Sequence, residues 1–447
     1  MDTIVALSTP PGRSAIGVVR LSGPASLQIL RALVQQDLFA PEPNRVVLKS
    51  LLVDEGVLDQ CLVTYFQAPH SFTGEDMVEI SCHGSPVVLR QLIDLIQSHE
   101  ARLAEPGEFT LRSCRNGKMN LSQAEAIRDL INAQTQAAAV QATRQLSGEL
   151  AQALQPSKHE LIRVIVTLES AIEFVEDDLP AVQLDDIKET IDRIIADVAN
   201  LAETYRAGHL LRDGLRVAIV GRPNVGKSSL FNRLLMFERA IVTDVAGTTR
   251  DSLTESISLQ GIPVSLTDTA GFREAGDKIE AIGIERTRRA MADADLLVLV
   301  IDGSCSLREE DQQILEAARE HPFVVAINKT DLPQVTAGKN LNGAQVVHVS
   351  ALTDEGIPQL TAAILEPFSS LDSASVGLLI TDSRHHDLLI RAKNSLAAAS
   401  RSMDQGAGEE IVVADLHNAL RFLGAITGET TSEQILGEIF STFCIGK

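Results

Sequence analysis

The pattern of apolar and polar positions divides the chain into segments of different texture, the first of which covers residues 1–117. Short apolar stretches such as "SAIGVVRLSG", "VLKSLLV" and "DMVEISCHG" alternate there with Gly and Pro. This alternation is typical of a strand-rich or mixed domain. We therefore expect a sheet in the N-terminal part of the chain.

Residues 118–213 have the composition of helices, since Ala, Leu, Gln and Glu dominate and turn residues are few. The sequence "SQAE" predicts a capping box, in which the Ser122 hydroxyl accepts from the backbone and the Glu125 carboxylate reaches back. Apolar residues then recur at helical spacing. The pattern predicts the first part of a helical domain.

Residues 214–370 carry solid apolar runs, "RVAIVG", "VSLTDT", "DLLVLVID", "FVVAINK" and "VVHVSA", between helical segments. Runs without alternation indicate strands covered on both faces, and hence a parallel sheet between two layers of helices. Helical texture returns over residues 371–447, where a capping box from Thr431 to Gln434 is expected to open the last helix. We predict one helical domain interrupted by an α/β domain.

Composition narrows the class of protein. A length of 447 residues suits about three domains. The chain has neither an apolar run long enough to cross a bilayer nor a basic, apolar leader after Met1, so we expect a cytoplasmic protein with no membrane contact. A net charge of −21 argues against coating nucleic acid through phosphate contacts. Any contact with nucleic acid is expected to be local.

The five cysteines are scattered along the chain, and no two of them form a CxxC pair. Their spacing therefore predicts neither a disulfide framework nor a structural zinc site, and we expect reduced thiols. They are Cys61, Cys82, Cys114, Cys305 and Cys444.

The sequence "GRPNVGKSS" at 221–229 fits a phosphate-binding loop placed between an apolar strand and a helix. Lys227 would pair with the β and γ phosphates and Ser228 would bind Mg²⁺. A mere tight glycine turn would not need the strand, the spacing and the Lys-Ser pair together. The nucleotide contacts expected here are Asn224, Val225, Gly226, Lys227, Ser228 and Ser229.

The sequence "NKTD" at 328–331 follows an apolar run and indicates guanine as the base. The Asp331 carboxylate can accept from the ring N–H and the exocyclic amine of guanine, and adenine lacks this pair of donors. After the next strand, the Ala351 N–H is expected to reach the guanine O6 atom. The contacts expected on this side are Asn328, Lys329, Asp331, Ser350 and Ala351.

The sequence "DTAG" at 268–271 predicts the sensor of the γ-phosphate, with Asp268 at the water shell of the metal. Phe272 follows where Ras-like GTPases carry a water-orienting Gln. In the preceding loop "IVTDVAGTTRD", Thr249 is expected to be the second Mg²⁺ ligand. The further GTP contacts expected are Thr243, Asp244, Val245, Ala246, Gly247, Thr248, Thr249, Thr269, Ala270 and Gly271. This set resembles the Era, EngA and TrmE group of GTPases.

The segments before and after residues 214–370 narrow the resemblance to one family. "SFTGEDMVEISCHG", "EPGEFTLRSCRNGKMNLSQAEAI" and the final "CIGK" resemble the MnmE (TrmE) family of bacterial tRNA-modification GTPases, over essentially the whole chain. The resemblance implies a multidomain α/β protein, with an N-terminal α+β domain like tetrahydrofolate-binding domains, a helical domain and an inserted P-loop GTPase domain with a mainly parallel sheet. It also implies homodimerisation through the N-terminal domain.

The same resemblance implies a pocket for 5-formyl- or 5,10-methylene-tetrahydrofolate, lined by Arg20, Glu79 and Lys118 with Lys447 nearby. From the residues alone, these would be solvated surface charges. For hydrolysis it implies that K⁺ replaces an arginine finger. The K⁺ ligands implied are Asn224, Thr243, Val245 and Thr248, and the implied catalytic groups are Lys227, Glu280 as the residue that orients water, and Cys444.

Cys444 has two interpretations. The final four residues do not fit a prenylation box, because Gly446 and Lys447 are unsuitable. The thiol is either a small apolar side chain closing the last helix or, as the resemblance implies, a group that acts on uridine, with Lys447 as the nearby cation.

The resemblance implies a K⁺-stimulated GTPase that forms a heterotetramer with an FAD-dependent MnmG partner. Together they would install an aminomethyl or carboxymethylaminomethyl group at C5 of the wobble uridine, U34, of tRNA. The alternative is a regulatory GTPase switch in ribosome assembly or a stress response. The content of modified wobble uridine in deletion strains would distinguish the two.

Overall fold

The computed structural model describes residues 2–53, 56–173, 181–237, 253–268, 290–335, 341, 344–366, 377–431 and 433–446. Within them the chain forms two compact units. Unit 1 contains residues 1–128, 145–158 and 420–447, and unit 2 contains residues 129–144 and 159–419. Each unit is therefore formed by stretches that are separated in the sequence.

The strands are β1 (Thr3–Leu7), β2 (Ile16–Ser22), β3 (Val46–Val53), β4 (Gly56–Phe66), β5 (Met77–His83), β6 (Ala101–Leu103), β7 (Leu215–Val220), β8 (Leu253–Leu259), β9 (Ile262–Asp268), β10 (Leu296–Asp302), β11 (Phe323–Asn328) and β12 (Gln345–His348). The helices are α1 (Ser26–Val34), α2 (Pro86–Gln97), α3 (Glu108–Arg115), α4 (Leu121–Asn132), α5 (Gln136–Leu146), α6 (Glu149–Glu173), α7 (Ala181–Glu203), α8 (Tyr205–Asp213), α9 (Lys227–Phe237), α10 (Glu309–Ala318), α11 (Ile357–Leu365), α12 (Ser383–Asp404), α13 (Glu409–Thr427) and α14 (Glu433–Ser441).

The sheet of unit 1 has the strand order β3-β4-β5-β2-β1-β6 and is antiparallel except where β6 runs parallel to β1. Helices α1 and α2 cover one face of this sheet. Buried Leu30 of α1 and Leu92 of α2 belong to one apolar core with Val19 and Ile80 of the sheet. The expected α+β domain is confirmed.

The sheet of unit 2 has the order β12-β11-β10-β7-β9-β8, and every pair is parallel except β8 with β9. All seven residues of β10 are buried, as expected for a strand covered on both faces. The mainly parallel sheet is confirmed. Since the carboxyl ends of parallel strands share one edge, the segments after β7, β10 and β11 meet there.

In unit 2, helices that precede the inserted sheet in the sequence pack against helices that follow it. Helix α7 lies along α12, where Ser400 Oγ donates to Asp192 Oδ1 at 3.0 Å. The Gln141 side chain also donates to the Gly377 carbonyl at 2.9 Å. No helix in the described part of the chain is long and apolar enough to span a membrane.

The capping box expected at Ser122 and Glu125 was wrong by two residues. Asn120 caps α4, because its Oδ1 accepts the Gln123 N–H at 2.9 Å while Gln123 Oε1 accepts the Asn120 N–H at 3.0 Å. Asn caps helices as well as Ser does, and the residue one step outside the helix takes the role. Ser122 lies inside the helix and donates to Asn120 Oδ1 at 2.8 Å. The box expected from Thr431 to Gln434 includes Ser432, which lies outside the described residues.

Candidate functional site

The loop between β7 and α9 has the backbone shape needed to enclose phosphates. Gly221, Asn224 and Gly226 have φ values of 153°, 67° and 99°. A Cβ at Gly226 would lie 2.3 Å from Asn328 Nδ2, so only glycine fits there. The loop thus holds its backbone against the end of β11.

The first turn of α9 carries the residues expected at the phosphates. Lys227 is 6% exposed, and its Nζ donates to the carbonyls of Gly221 at 2.7 Å and Arg222 at 2.9 Å. The ammonium therefore lies inside the loop. Ser228 and Ser229 are exposed on the same turn, at the positive end of the helix dipole.

Asn328 joins the phosphate loop to the segment after β12. Its Nδ2 donates to the Val225 carbonyl at 2.9 Å, and its Oδ1 accepts the Ala351 N–H at 3.1 Å. The side chain is 2% exposed. Two loops far apart in sequence are thereby held by one amide.

The carboxylate expected at the base is oriented by Ser350. The Ser350 hydroxyl donates to Asp331 Oδ1 at 2.6 Å and accepts the backbone N–H groups of Leu352 and Thr353, both at 3.2 Å. Ser350 is fully buried. Since it holds one carboxylate oxygen, the rotamer of Asp331 is fixed before any base arrives.

Sequence reasoning missed the partner of Lys329. Its Nζ donates to Asp302 Oδ2 at 2.7 Å and to the Asn224 carbonyl at 3.2 Å. Burial alone would raise the pKa of Asp302, but hydrogen bonds from Lys329 and Ser304 hold it below its ordinary value. The only signal in sequence is that Asp302 ends the apolar run of β10.

A second contact that the sequence did not reveal joins the phosphate loop to α10. The Arg222 side chain is 7% exposed, and its Nε donates to Asp311 Oδ2 at 3.1 Å. Its Nη2 atom lies 3.1 Å from Cys305 Sγ. No sequence pattern connects these three residues, which the fold brings together from three segments.

Asp268 is the last residue of β9, is 1% exposed and pairs in register with Ile219 of β7, beside the phosphate loop. The other residues expected around the γ-phosphate and at the chain end lie outside the described part of the chain. They are Thr243, Asp244, Val245, Ala246, Gly247, Thr248, Thr249, Thr269, Ala270, Gly271, Glu280 and Lys447.

In unit 1, Arg20 of β2 and Glu79 of β5 face each other across the sheet. Arg20 Nε and Nη2 donate to Glu79 Oε1 at 2.9 and 2.7 Å. The guanidinium lies 5.7 Å from the ring centre of Phe72 and 5.8 Å from that of Phe109. The charged pair therefore lies beside two aromatic rings.

The C-terminal segment joins this group. The Gly446 carbonyl accepts from Arg20 Nη1 at 3.4 Å and from Ser8 Oγ at 3.2 Å. The Gly107 N–H donates to the Cys444 carbonyl at 3.3 Å. Phe443 is buried, whereas Cys444 is exposed beyond the end of α14. The interpretation of Cys444 as an apolar side chain closing the helix is therefore wrong, because Phe443 takes that position.

Lys118 follows α3 and contacts the loop that carries Phe72. Its Nζ donates to the Pro69 carbonyl at 2.9 Å, and its side chain passes 3.4 Å from the position of a Cβ at Gly74. The structure therefore joins Arg20, Glu79 and the C-terminal segment directly, whereas Lys118 contacts the loop that carries Phe72.

Family models and known relatives match nearly the whole chain. A family model described as "MnmE helical domain" matches residues 121–444, and one described as "GTP-binding protein TrmE N-terminus" matches residues 3–118. A tRNA modification GTPase MnmE of Koribacter versatilis is 45% identical over 453 residues, covering 100% of this chain and 99% of the relative. One from Aquifex aeolicus is 43% identical over 448 residues and covers 100% of both chains.

Two family models cover nearly all of the chain, and relatives above 40% identity cover all of it. The chain belongs to the MnmE family of tRNA modification GTPases.

Proposed function

We propose that this GTPase hydrolyses GTP while it modifies C5 of the wobble uridine U34 in tRNA, in the cytoplasm and together with an FAD-dependent MnmG partner in a heterotetramer. The group added would be aminomethyl or carboxymethylaminomethyl. The observation that carries the proposal is one chain with two built sites, a phosphate loop tied by Asn328 to the base-binding segment and the Arg20–Glu79 pair against the C-terminal segment.

The GTP site fits its substrate group by group. Lys227 and the backbone of the phosphate loop would hold the phosphates, and the carboxylate of Asp331 would accept the two guanine donors. The Ala351 N–H now donates to Asn328 Oδ1, so a bond to guanine O6 would be shared with or exchanged for that bond.

Mg²⁺ fits beside the exposed hydroxyl of Ser228 and near buried Asp268, since hydroxyl and water oxygens are its usual ligands. Thr249 would be the second ligand from the protein. When bound, Mg²⁺ neutralises phosphate charge. Lys227 and the first turn of α9 would orient the same oxygens, and Glu280 would orient the attacking water.

Asn224 is proposed to bind K⁺ together with Thr243, Val245 and Thr248. It has the left-handed φ of 67° that Asn tolerates, and its carbonyl is held by Lys329. We expect GTP turnover to be about 10- to 100-fold lower in Na⁺ than in K⁺, because a fixed cation of the right size stabilises charge in the transition state. Steady-state GTPase rates in matched salts measure this.

Asn224→Gly provides the matched variant, since glycine keeps the positive φ and removes only the side chain. The variant is expected to be slow in both salts, whereas an Asn224→Gly protein still stimulated by K⁺ would contradict the role of this side chain. Equal wild-type rates in both salts would contradict the K⁺ site as a whole.

The Arg20–Glu79 group is proposed to bind 5-formyl- or 5,10-methylene-tetrahydrofolate, with Lys118 and Lys447 at its edge. The pair lies among the rings of Phe72 and Phe109, which suits a flat heterocycle with hydrogen-bond donors. When bound, the folate supplies a one-carbon unit. Glu79 would orient its ring, and the Cys444 thiol would act on uridine nearby.

We further propose that a second copy of the chain covers β3 and β4. Leu48 and Val46 of the edge strand β3 are 63% and 61% exposed, and Leu62 of β4, which pairs in register with Leu48, is 49% exposed. Exposed apolar edges of this kind need a partner.

The change Leu48→Glu is expected to convert a dimer to a monomer, because it places an unpaired charge in the interface. Light scattering during size exclusion measures the mass. Leu103→Glu is the matched control, since Leu103 is an exposed leucine on the opposite edge strand β6. If both variants stay dimeric, β3 is not the interface.

The alternative of a regulatory switch in ribosome assembly or stress makes a different prediction in cells. A strain that lacks this chain is expected to lose the modified wobble uridine in nucleoside mass spectrometry. Normal wobble uridine together with a ribosome assembly defect would favour the switch.

A further inference from the structure

Two neighbouring strands of unit 1 bring together three metal-ligating side chains that neither candidate site uses. The Asp59 carboxylate and the Cys61 thiol lie two residues apart on β4, and the Cys82 thiol lies on β5. Leu62 pairs with Ser81, so the antiparallel register places Cys61 opposite Cys82. One ligand atom from each residue lies within 4.8 Å of the other two.

We propose that Asp59, Cys61 and Cys82 bind a thiophilic divalent cation, for which Zn²⁺ is the natural occupant. In a tetrahedral zinc site, Zn–S bonds of about 2.3 Å and Zn–O bonds of about 2.1 Å separate the ligand atoms by about 3.6 to 3.8 Å. The three ligand atoms lie within 4.8 Å of one another, so no pair would need to close by more than about 1.2 Å to reach these separations. Two thiolates exclude Mg²⁺ and Ca²⁺, which select oxygen ligands.

The carboxylate is positioned as a metal ligand is. Asp59 Oδ1 accepts from the Gln60 N–H at 2.8 Å and contacts His83 Nδ1 at 2.8 Å, and its Oδ2 accepts the His83 N–H at 2.9 Å. Ligating carboxylates are usually held by such outer contacts. His83 therefore positions Asp59 and leaves a lone pair on Oδ2 for a cation.

The surroundings provide both a closed site and an entrance. Cys61 is fully buried and Cys82 is 3% exposed, and both thiols border the apolar core beneath α1 and α2. His83 is well exposed at the end of β5, so an ion would enter past Asp59. The Cys82 thiol donates to the Gly17 carbonyl at 3.4 Å, a bond that metal binding would replace.

A cation at this point would join β4 to β5 through side chains as well as through the backbone. Because the ligands meet only in the folded sheet, binding would stabilise the folded unit and raise its melting temperature. The proposed role is structural, because both thiols lie against the apolar core, and a water molecule would complete the four-coordinate site at the entrance beside Asp59.

The test uses the full, reduced chain with Cys444→Ser in every variant, so that the exposed thiol contributes nothing. Co²⁺ is the probe, because thiolate ligation gives a charge-transfer absorption and a tetrahedral site gives intense visible bands. We expect about one Co²⁺ per chain, displaced by Zn²⁺, and a higher melting temperature with Zn²⁺ present.

Cys61→Val keeps the core filled and is expected to abolish the charge-transfer band. Asp59→Asn is expected to weaken Co²⁺ binding at least about tenfold while both thiolates remain. Cys114→Ala is the matched control, because this thiol of unit 1 lies outside the cluster, and it should bind like the parent. The proposal is overturned if the parent binds no Co²⁺, or if a folded Cys61→Val protein binds it equally well.

Discussion

Asp331→Asn is expected to change the base preference of the site from guanine to xanthine. The carboxylate would accept from the ring N–H and the amine of guanine, whereas an amide presents a donor that suits the second carbonyl of xanthine. Two hydrogen bonds to a charged acceptor contribute about 3 to 6 kcal/mol in all. Affinity for GTP should therefore fall about 10²- to 10⁴-fold.

The structure indicates that this substitution would change the contacts to the base without moving the side chain. Ser350 Oγ donates to Asp331 Oδ1 at 2.6 Å, and the amide oxygen of Asn can accept the same bond, so the rotamer should be kept. Titration with GTP, XTP and ATP measures the change. Asp354→Asn, the same substitution in the exposed loop that follows, should leave all three affinities unaltered. Weak binding of both GTP and XTP would place Asp331 away from the base.

Cys444→Ser is expected to abolish modification of the wobble uridine while GTP hydrolysis continues. The segment is anchored by the Cys444 carbonyl and by buried Phe443, and neither contact involves the thiol. A serine hydroxyl keeps the volume but is a weaker acid and a weaker nucleophile than a thiol. Chemistry that needs the thiol should fail completely.

Two measurements on one variant test this expectation, the GTPase rate of the purified protein and the wobble uridine content of tRNA from cells that carry only that variant. Cys114→Ala is the matched control. Burial raises the pKa of the Cys114 thiol to about 12, with the charge of Glu125 adding to the effect, so it is not a nucleophile. Normal tRNA from the Cys444→Ser strain would remove the thiol from the chemistry.

The sequence was sufficient where the chemistry depends on local order. The phosphate loop and "NKTD" could be found because each is a short stretch at the end of an apolar strand, and β7 and β11 end where expected. Contacts set by tertiary packing could not be found. Arg222 and Asp311 are 89 residues apart, and neither has a neighbour in sequence that marks it.

The proximity of the Cys61 and Cys82 thiols is a second example of a contact that the sequence could not predict. A spacing rule for zinc sites detects ligands on one turn or hairpin, but Cys61 and Cys82 meet only through the register of β4 and β5. The cap of α4 was misplaced for a local reason, because Asn120 competes with Ser122 and both have a partner three residues on.

Unit 1 is assembled from both ends of the chain, and this affects the order of folding during synthesis. Its sheet comes from the start of the chain, but Phe440 and Phe443 pack on Leu121 and Ala124 only after residues 420–446 have been made. Domains normally fold as their residues emerge, and this one must wait for several hundred residues to pass. A nascent chain would expose that apolar surface to chaperones until residues 420–446 had been made. Prematurely ended chains would be recognised as defective, even with the inserted sheet complete.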